Sequence, residues 1–402
     1  MNPRRGIVLG LVVLAMATWL AQAGRTQTPE EFFDDLVLHE VRLYLHPVDW
    51  RKLQENFEDN TYYPGEFVWR GRSVVNVGIR SRGGGSRSDF KPGLKIDFKR
   101  YIAGQRFVGE TSFVLDNHIQ DATFMRERLT MALFRRAGIP APRTAFAKVF
   151  INDSYWGLYS IVEEIEKPFL KRSLGEDIGW LYEYNWLTDY NFEFLGFDDE
   201  LYGLMWDPKT RENNADVRTI LEFIQMVNEV PDEEFLERVG EHLDLESLMR
   251  YLAVENYVSE WDGIVGSSGM NNFYLYRYNN TKRFQLIPWD KDVGLTNFDH
   301  SILFNLDRNV LTRRAMQFPE LARKYLDEVQ QIAELAGGPD GWLQGEFEFA
   351  YRQIRQAVFE DRNKPLTNSF FDHSAEAMRE FIQYRPTAIG EQMDELSNGP
   401  RP

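Results

Sequence analysis

The sequence predicts an α+β chain whose first part is rich in strands and whose second part is mainly helical. Three observations predict this class. Short alternating runs dominate as far as about residue 165, longer 3.6-period segments dominate from about residue 214, and aromatic residues make up 14% of the 402 residues. The late exception is a strand pair, Phe273-Tyr-Leu-Tyr-Arg-Tyr278 and Arg283-Phe-Gln-Leu-Ile-Pro-Trp289. Asn279-Asn280 separates the two runs, so the pair reads as a β-hairpin.

The N-terminus reads as an address. Arg4-Arg5 precedes an apolar run, Gly6 to Leu20, and Ala21-Gln22-Ala23 is a small-x-small cleavage site. Export with cleavage after Ala23 is expected, with no stable membrane span afterwards; an uncleaved anchor is the alternative reading of the same run. The chain has no cysteine, which excludes disulfides, thiolate metal sites and a cysteine nucleophile. A net charge of −16 argues against nucleic acid and anionic lipid as partners; it suits divalent cations or a basic substrate.

Residues 24–38 form a polar, acidic lead-in. His39 to Leu45 alternates and predicts a strand, Pro47 to Phe57 a short helix, and Glu66 to Arg70 and Ser73 to Ile79 two further strands. A Gly/Ser/Arg loop follows, from Arg80 to Pro92. Its glycines allow backbone N–H groups to turn inward as an anion nest, and Arg82, Ser86 and neighbouring cations are candidate phosphate contacts. A solvated hairpin tip explains the same composition. Leu94 to Phe98 is the next strand, and it carries Lys95.

Asp121 to Ala137 is amphipathic and predicts a helix capped by Asp121. Ala145 to Ile151 and Tyr155 to Val162 form another hairpin, ending at Glu163. Lys95 is assigned to phosphate binding with Glu127 as its ion-pair partner; Lys91 and Lys99 flank the lysine, and Glu163 could replace Glu127. Leu181 to Pro208 is aromatic and acidic and is expected to be a surface loop packed by its own rings, with a substrate-facing insertion as the alternative. Helices are expected over 217–227, 232–243, 245–258, 309–335, 340–361 and 374–395. The six histidines show no metal-ligand spacing.

A hairpin brings its far end back to its start. Asp262, Asn272 and Asp290 therefore reach one rim, joined by Asp292 if the chain stays extended. Phosphoryl transfer needs few covalent partners: a carboxylate facing the acceptor hydroxyl, and oxygen ligands for Mg²⁺. Asp262 is the candidate for the first role, Asp290 and Asn272 for the second. The order of glycine loop, lysine strand, glutamate helix, crossover and acid-bearing hairpin matches that of protein kinases.

These residues resemble the CotH kinase-like (spore coat protein H) family. The resemblance rests on Ile79-Arg-Ser-Arg-Gly83 with Ser86, Lys95-Ile-Asp-Phe98, Arg126-Glu-Arg-Leu129, Gly138-Ile-Pro-Ala-Pro-Arg143, Gly157-Leu-Tyr-Ser-Ile-Val-Glu163, Asn272-Phe-Tyr-Leu-Tyr276 and Ile287-Pro-Trp-Asp-Lys-Asp292. It spans about His39 to about Arg385. It implies an atypical protein-kinase-like two-lobed fold, with a β-rich N-lobe over about 39–165 and a mainly helical C-lobe over about 166–395. It further implies ATP and Mg²⁺ as cofactors, Asp290 as a metal-binding acid, Asp262 as the catalytic one, and a secreted or surface protein acting on Ser/Thr of a protein substrate. The family also contains surface and adhesive members, so a non-catalytic coat module is the alternative. Two departures stand out: Gly84-Gly85 where the family's loop has Asn-Ser, and Asn271 where a His commonly precedes the Asn.

Overall fold

A computed structural model describes residues 27–211 and 216–398. The expected export signal, residues 1–23, lies outside the described residues. Among those described, no helix is long and apolar enough to cross a membrane.

The chain is α+β. Seven strands close a barrel in the order β1-β2-β3-β4-β5-β7-β6: β1 (His39–Leu45), β2 (Tyr63–Trp69), β3 (Arg72–Arg82), β4 (Gly93–Asp97), β5 (Ser112–Asp116), β6 (Thr144–Ile151) and β7 (Ser154–Glu163). Closure comes from the parallel pairing of β1 with β6, Val41 opposite Val149. It leaves no edge strand exposed.

The barrel interior is aromatic, and its plug comes from the lead-in. Pro29–Phe32 (α1) is a single turn held by a capping box between Thr28 and Glu31. It delivers Phe32, fully buried, edge-on to Phe67, Trp69, Phe107 and Phe113 with ring centroids 5.0–6.1 Å apart. The expectation of a merely polar lead-in is thus corrected for its second half, which belongs to the barrel core.

Pro47–Glu55 (α2) lies beside β2 and β3. The amphipathic segment after β5 begins its helix late, as Arg126–Arg136 (α3). Phe124 has φ +61°, which an α-helix cannot contain. Asp121 instead closes the turn before it, accepting from the backbone N–H of Thr123 and Arg126, both at 2.8 Å.

After Lys167–Leu174 (α4) a second sheet forms in the order β11-β10-β8-β9, all antiparallel. Its strands are β8 (Trp180–Tyr184), β9 (Trp206–Pro208), β10 (Phe273–Arg277) and β11 (Phe284–Pro288). The stretch expected to be a surface loop therefore contributes two strands and a helix, Asp199–Met205 (α5). The hairpin is as read, but its connection runs from Tyr278 to Arg283, with Asn280 at φ +58°.

The remaining helices pack into one large core with this sheet: Val217–Glu229 (α6), Asp232–Gly240 (α7), Leu245–Tyr257 (α8), Val310–Met316 (α9), Pro319–Ala336 (α10), Trp342–Glu360 (α11) and Asn368–Asn398 (α12). Lys91, from the loop before β4, makes a fully buried 2.8 Å ion pair with Asp361 at the end of α11. Asp361 also accepts the Leu158 backbone N–H, so it ties the barrel to the helical half.

Candidate functional site

The barrel and the second sheet face each other across a cleft with two chambers. One, about 590 Å³, is lined by the glycine loop, Asp262, Asn271, Asn272, Asp290 and Asp292. The other, about 580 Å³, is lined by Lys95, Glu164, Tyr274 and several cations. Arg80, Arg82, Glu183 and Trp289 line both.

The first chamber is built by the hairpin. Asn272 and Trp289 are bonded across its open end, and Asn272 and Asp290 both sit in the left-handed region, at φ +57° and +52°. For residues other than glycine that conformation is uncommon; Asn and Asp tolerate it best. Asp262 accepts from Asn272 Nδ2 at 3.0 Å and from Asn271 Nδ2 at 3.1 Å. Asn271, where the family commonly has His, is thus one of the two amides that orient the candidate catalytic acid.

The loop bearing Asp262 is fixed from beneath. The Asp262 backbone N–H donates to Glu260 at 2.9 Å, and that of Ile264 donates to Glu255 at 3.1 Å. A Cβ on Gly263 would fall on the Glu255 carboxylate, so this position needs glycine. Glu255 in turn accepts from Lys291 Nζ at 2.7 Å with both side chains fully buried, and Lys291 stands between Asp290 and Asp292.

Electrostatically the chamber is short of positive charge. Burial, and then the Asp290, Asp116 and Glu127 carboxylates, push the Asp292 carboxyl well up. Asp290 is raised by burial and by Asp116 and Asp262, against the pull of Arg82 and Lys291. Glu127 is pushed up by burial, Asp116 and Asp290. Arg82 joins Lys291 as a cation acting on Asp290. Burial alone would lower its pKa, but Asp290, Glu164, Asp116 and Glu127 raise it. Among the described residues its guanidinium makes no hydrogen bond or ion pair; it lies over the Trp289 ring at 5.6 Å.

The sequence-chosen residues divide accordingly. Asp262, Asn272 and Asp290 converge on one chamber with Arg82. Glu127 joins their electrostatic neighbourhood and is not the partner of Lys95. Lys95 pairs with Glu164 at 2.9 Å and lies 3.7 Å from Glu166. Glu163 points the other way, fully buried between Arg143 at 2.7 Å and Arg172 at 2.6 Å. Adjacent strand residues face opposite sides, which gives the cleft to Glu164. Lys91 is spent on Asp361, and Lys99 pairs with Glu166 at 3.1 Å.

Ser86 sits inside the glycine loop. Its carbonyl accepts from Asn117, and its hydroxyl lies against Gly83, whose φ is +116°. The loop is braced, because Arg87 donates to the carbonyls of Gly83, Phe57 and Glu58 and to the Asn60 side chain. A solvated tip would lack these bonds.

Sequence reasoning missed Asp116, Glu164 and the cleft face of β8 with Glu183. Asp116 ends β5, whose five residues are all buried, so no alternation marks it. Among the described residues no three histidine, aspartate or glutamate side chains form a ready-made metal cage.

The family model described as CotH kinase protein matches residues 79–389. The chain is 25% identical over 354 residues to the inner spore coat protein H of Bacillus subtilis, covering 86% of this chain and 94% of that one. It is 21% identical over 288 residues to spore coat protein homolog 1 of Rhizopus delemar, covering 68% of this chain but only 44% of that protein. Among solved structures, the Helicobacter pylori proinflammatory kinase CtkA aligns at 8% identity and TM-score 0.29 over 79% of this chain and 95% of that one. The HipA–HipB–operator DNA complex of Shewanella oneidensis aligns at 13% and 0.35, over 88% and 74%.

Proposed function

The chain belongs to the CotH kinase protein family, and from that premise we propose that it is an exported, atypical, two-lobed protein kinase. It would transfer the γ-phosphoryl group of ATP to a Ser or Thr hydroxyl of a protein partner associated with a coat or surface. The barrel would be the N-lobe and the helical half the C-lobe. The observation that carries the proposal is the convergence of Asp262, Asn272 and Asp290 with Arg82, unpaired among the described residues, in one open chamber beside a braced glycine loop.

Each residue has a chemical task. Asp262, held by two amides, faces the acceptor hydroxyl and takes its proton as the new P–O bond forms and the bond to the β-phosphate oxygen breaks, releasing ADP. Arg82 and Lys95 offset the charge of the triphosphate, and the backbone of residues 83–86 approaches it without Cβ atoms in the way at Gly83, Gly84 and Gly85.

The donor set fits Mg²⁺. Its groups are all oxygen, and burial with neighbouring carboxylates raises Asp290 and Asp292, a charge that a bound cation would offset. Asp290 would hold the ion, with the Asn272 side-chain Oδ1, since Asn272 bonds Asp262 through Nδ2. When bound, Mg²⁺ would neutralise developing charge on the phosphate oxygens; it needs only one or two carboxylates besides them.

The test is incubation with γ-labelled ATP and Mg²⁺, alone and with co-expressed partners, for wild type beside Asp290→Ala of intact fold. Labelled protein from wild type alone is expected. Equal labelling by both sinks the role of Asp290. Free phosphate with no labelled protein marks a phosphohydrolase. Neither labelling nor thermal stabilisation by ATP with Mg²⁺ leaves a non-catalytic coat module.

A further inference from the structure

The second chamber has a charge that its neighbour does not explain. It holds eight cationic side chains against three carboxylates, an excess of five in a chain whose net charge is −16. The three carboxylates are already engaged: Glu164 with Lys95, Glu166 with Lys95 and Lys99, and Glu183 with Lys209. Arg80, Arg82, Arg106, Lys167 and Arg211 are left with no carboxylate within ion-pair distance among the described residues.

These five approach the chamber from three sides. Arg80 and Arg82 come from β3, with Arg80 directly opposite Lys95 on β4, and Arg106 from the loop before β5. Lys167 opens α4, and Arg211 follows β9, braced over the Trp180 ring at 3.9 Å. Thr111 and Thr210 add hydroxyls, and Tyr274 with Trp289 forms an aromatic wall, ring centroids 5.6 Å apart. Like charges held together around a cavity repel one another. They focus the field into it and favour a ligand that carries several negative charges at phosphate spacing.

We propose that this chamber is an oligophosphate-binding subsite that works without a metal ion. The inference deepens the kinase proposal and rests on it for Arg82 and Lys95, which line this chamber too; it requires neither Asp262 nor Asp290, so it stands or falls apart from phosphoryl transfer. The phosphate chain could belong to a nucleotide lying along the cleft or to a free oligophosphate.

Calorimetric titration of the full chain with inorganic triphosphate in EDTA tests it. Wild type is expected to bind, more weakly as salt rises. Arg106→Glu with Lys167→Glu, both exposed, is expected to weaken binding about tenfold or more; the Gln pair is expected to fall between. Asp290→Ala is expected to bind as wild type does, whether or not phosphoryl transfer occurs. Displacement of triphosphate by ATP in EDTA names the nucleotide as the source; failure of ATP to displace it names a free oligophosphate. No binding in EDTA, unchanged binding after charge reversal, or loss of binding in Asp290→Ala overturns the subsite.

Discussion

Lys291 Nζ lies 2.7 Å from Glu255 Oε1, and neither side chain has any surface in contact with solvent. One residue belongs to the acid-bearing end of the hairpin, the other to α8. Glu255 also accepts the Ile264 N–H, so the pair joins the Asp262 loop to the Asp290 turn.

Removing one partner leaves the other charged and buried. Lys291→Met is therefore expected to cost about 3–5 kcal/mol in urea denaturation, with much of that recovered in Lys291→Met with Glu255→Leu. Recovery should not extend to phosphoryl transfer, since the loop loses its anchor. Equal activity of the double variant and wild type would show that the pair serves stability alone.

Glu260 gives a pH dependence. It is fully buried, with Oε2 lacking a partner among the described residues, and burial pushes its carboxyl up to about 7 from 4.5, against the pull of Lys291. A raised folded value means the folded state binds the proton more tightly. Its contribution is fully present below about pH 4.5 and is lost as pH rises through about 7. A shift of this size corresponds to about 3 kcal/mol. Glu260→Gln, which keeps the acceptor for Asp262 N–H, should flatten stability between pH 5 and 8 relative to wild type. Parallel stability curves for the two proteins would exclude Glu260 as the titrating group.

Lys95 and Glu164 form the ion pair at the mouth of the cleft. A double-mutant cycle between Lys95→Ala and Glu164→Ala should give a coupling of roughly 1 kcal/mol, and one between Lys95→Ala and Glu127→Ala close to zero. Thermal denaturation of the single and double variants reads both. The reverse ranking would return Glu127 to the role that spacing first suggested.

What spacing could and could not reveal follows from burial. The hairpin was legible because its aromatic runs and flanking acids are local. The glycine loop was legible as an anion nest, but its bracing was not, because Arg87 reaches carbonyls roughly thirty residues away. Glu164 was passed over for Glu163 because choosing between neighbours needs strand parity across the end of β7. β5 and its terminal Asp116 were invisible, since a strand buried on both faces has no alternation to read. β8 hid in an acidic, aromatic stretch whose strand partner, β10, lies about ninety residues further on.

Phe32 is the long-range case for stability. Composition assigned residues 24–38 to a polar leader, yet Phe32 fills the barrel among four aromatic rings. Phe32→Ala removes a ring from a closed space that strands hydrogen-bonded on both sides cannot easily collapse. The expected cost is about 3–5 kcal/mol, with a lower thermal midpoint. Phe32→Leu should recover part of it, because it restores apolar volume. A chain starting at residue 35 should behave like Phe32→Ala or worse, since it also loses Phe33, which packs under the Arg143 guanidinium at 4.4 Å. Wild-type stability in that truncated chain would show that the barrel closes without its plug.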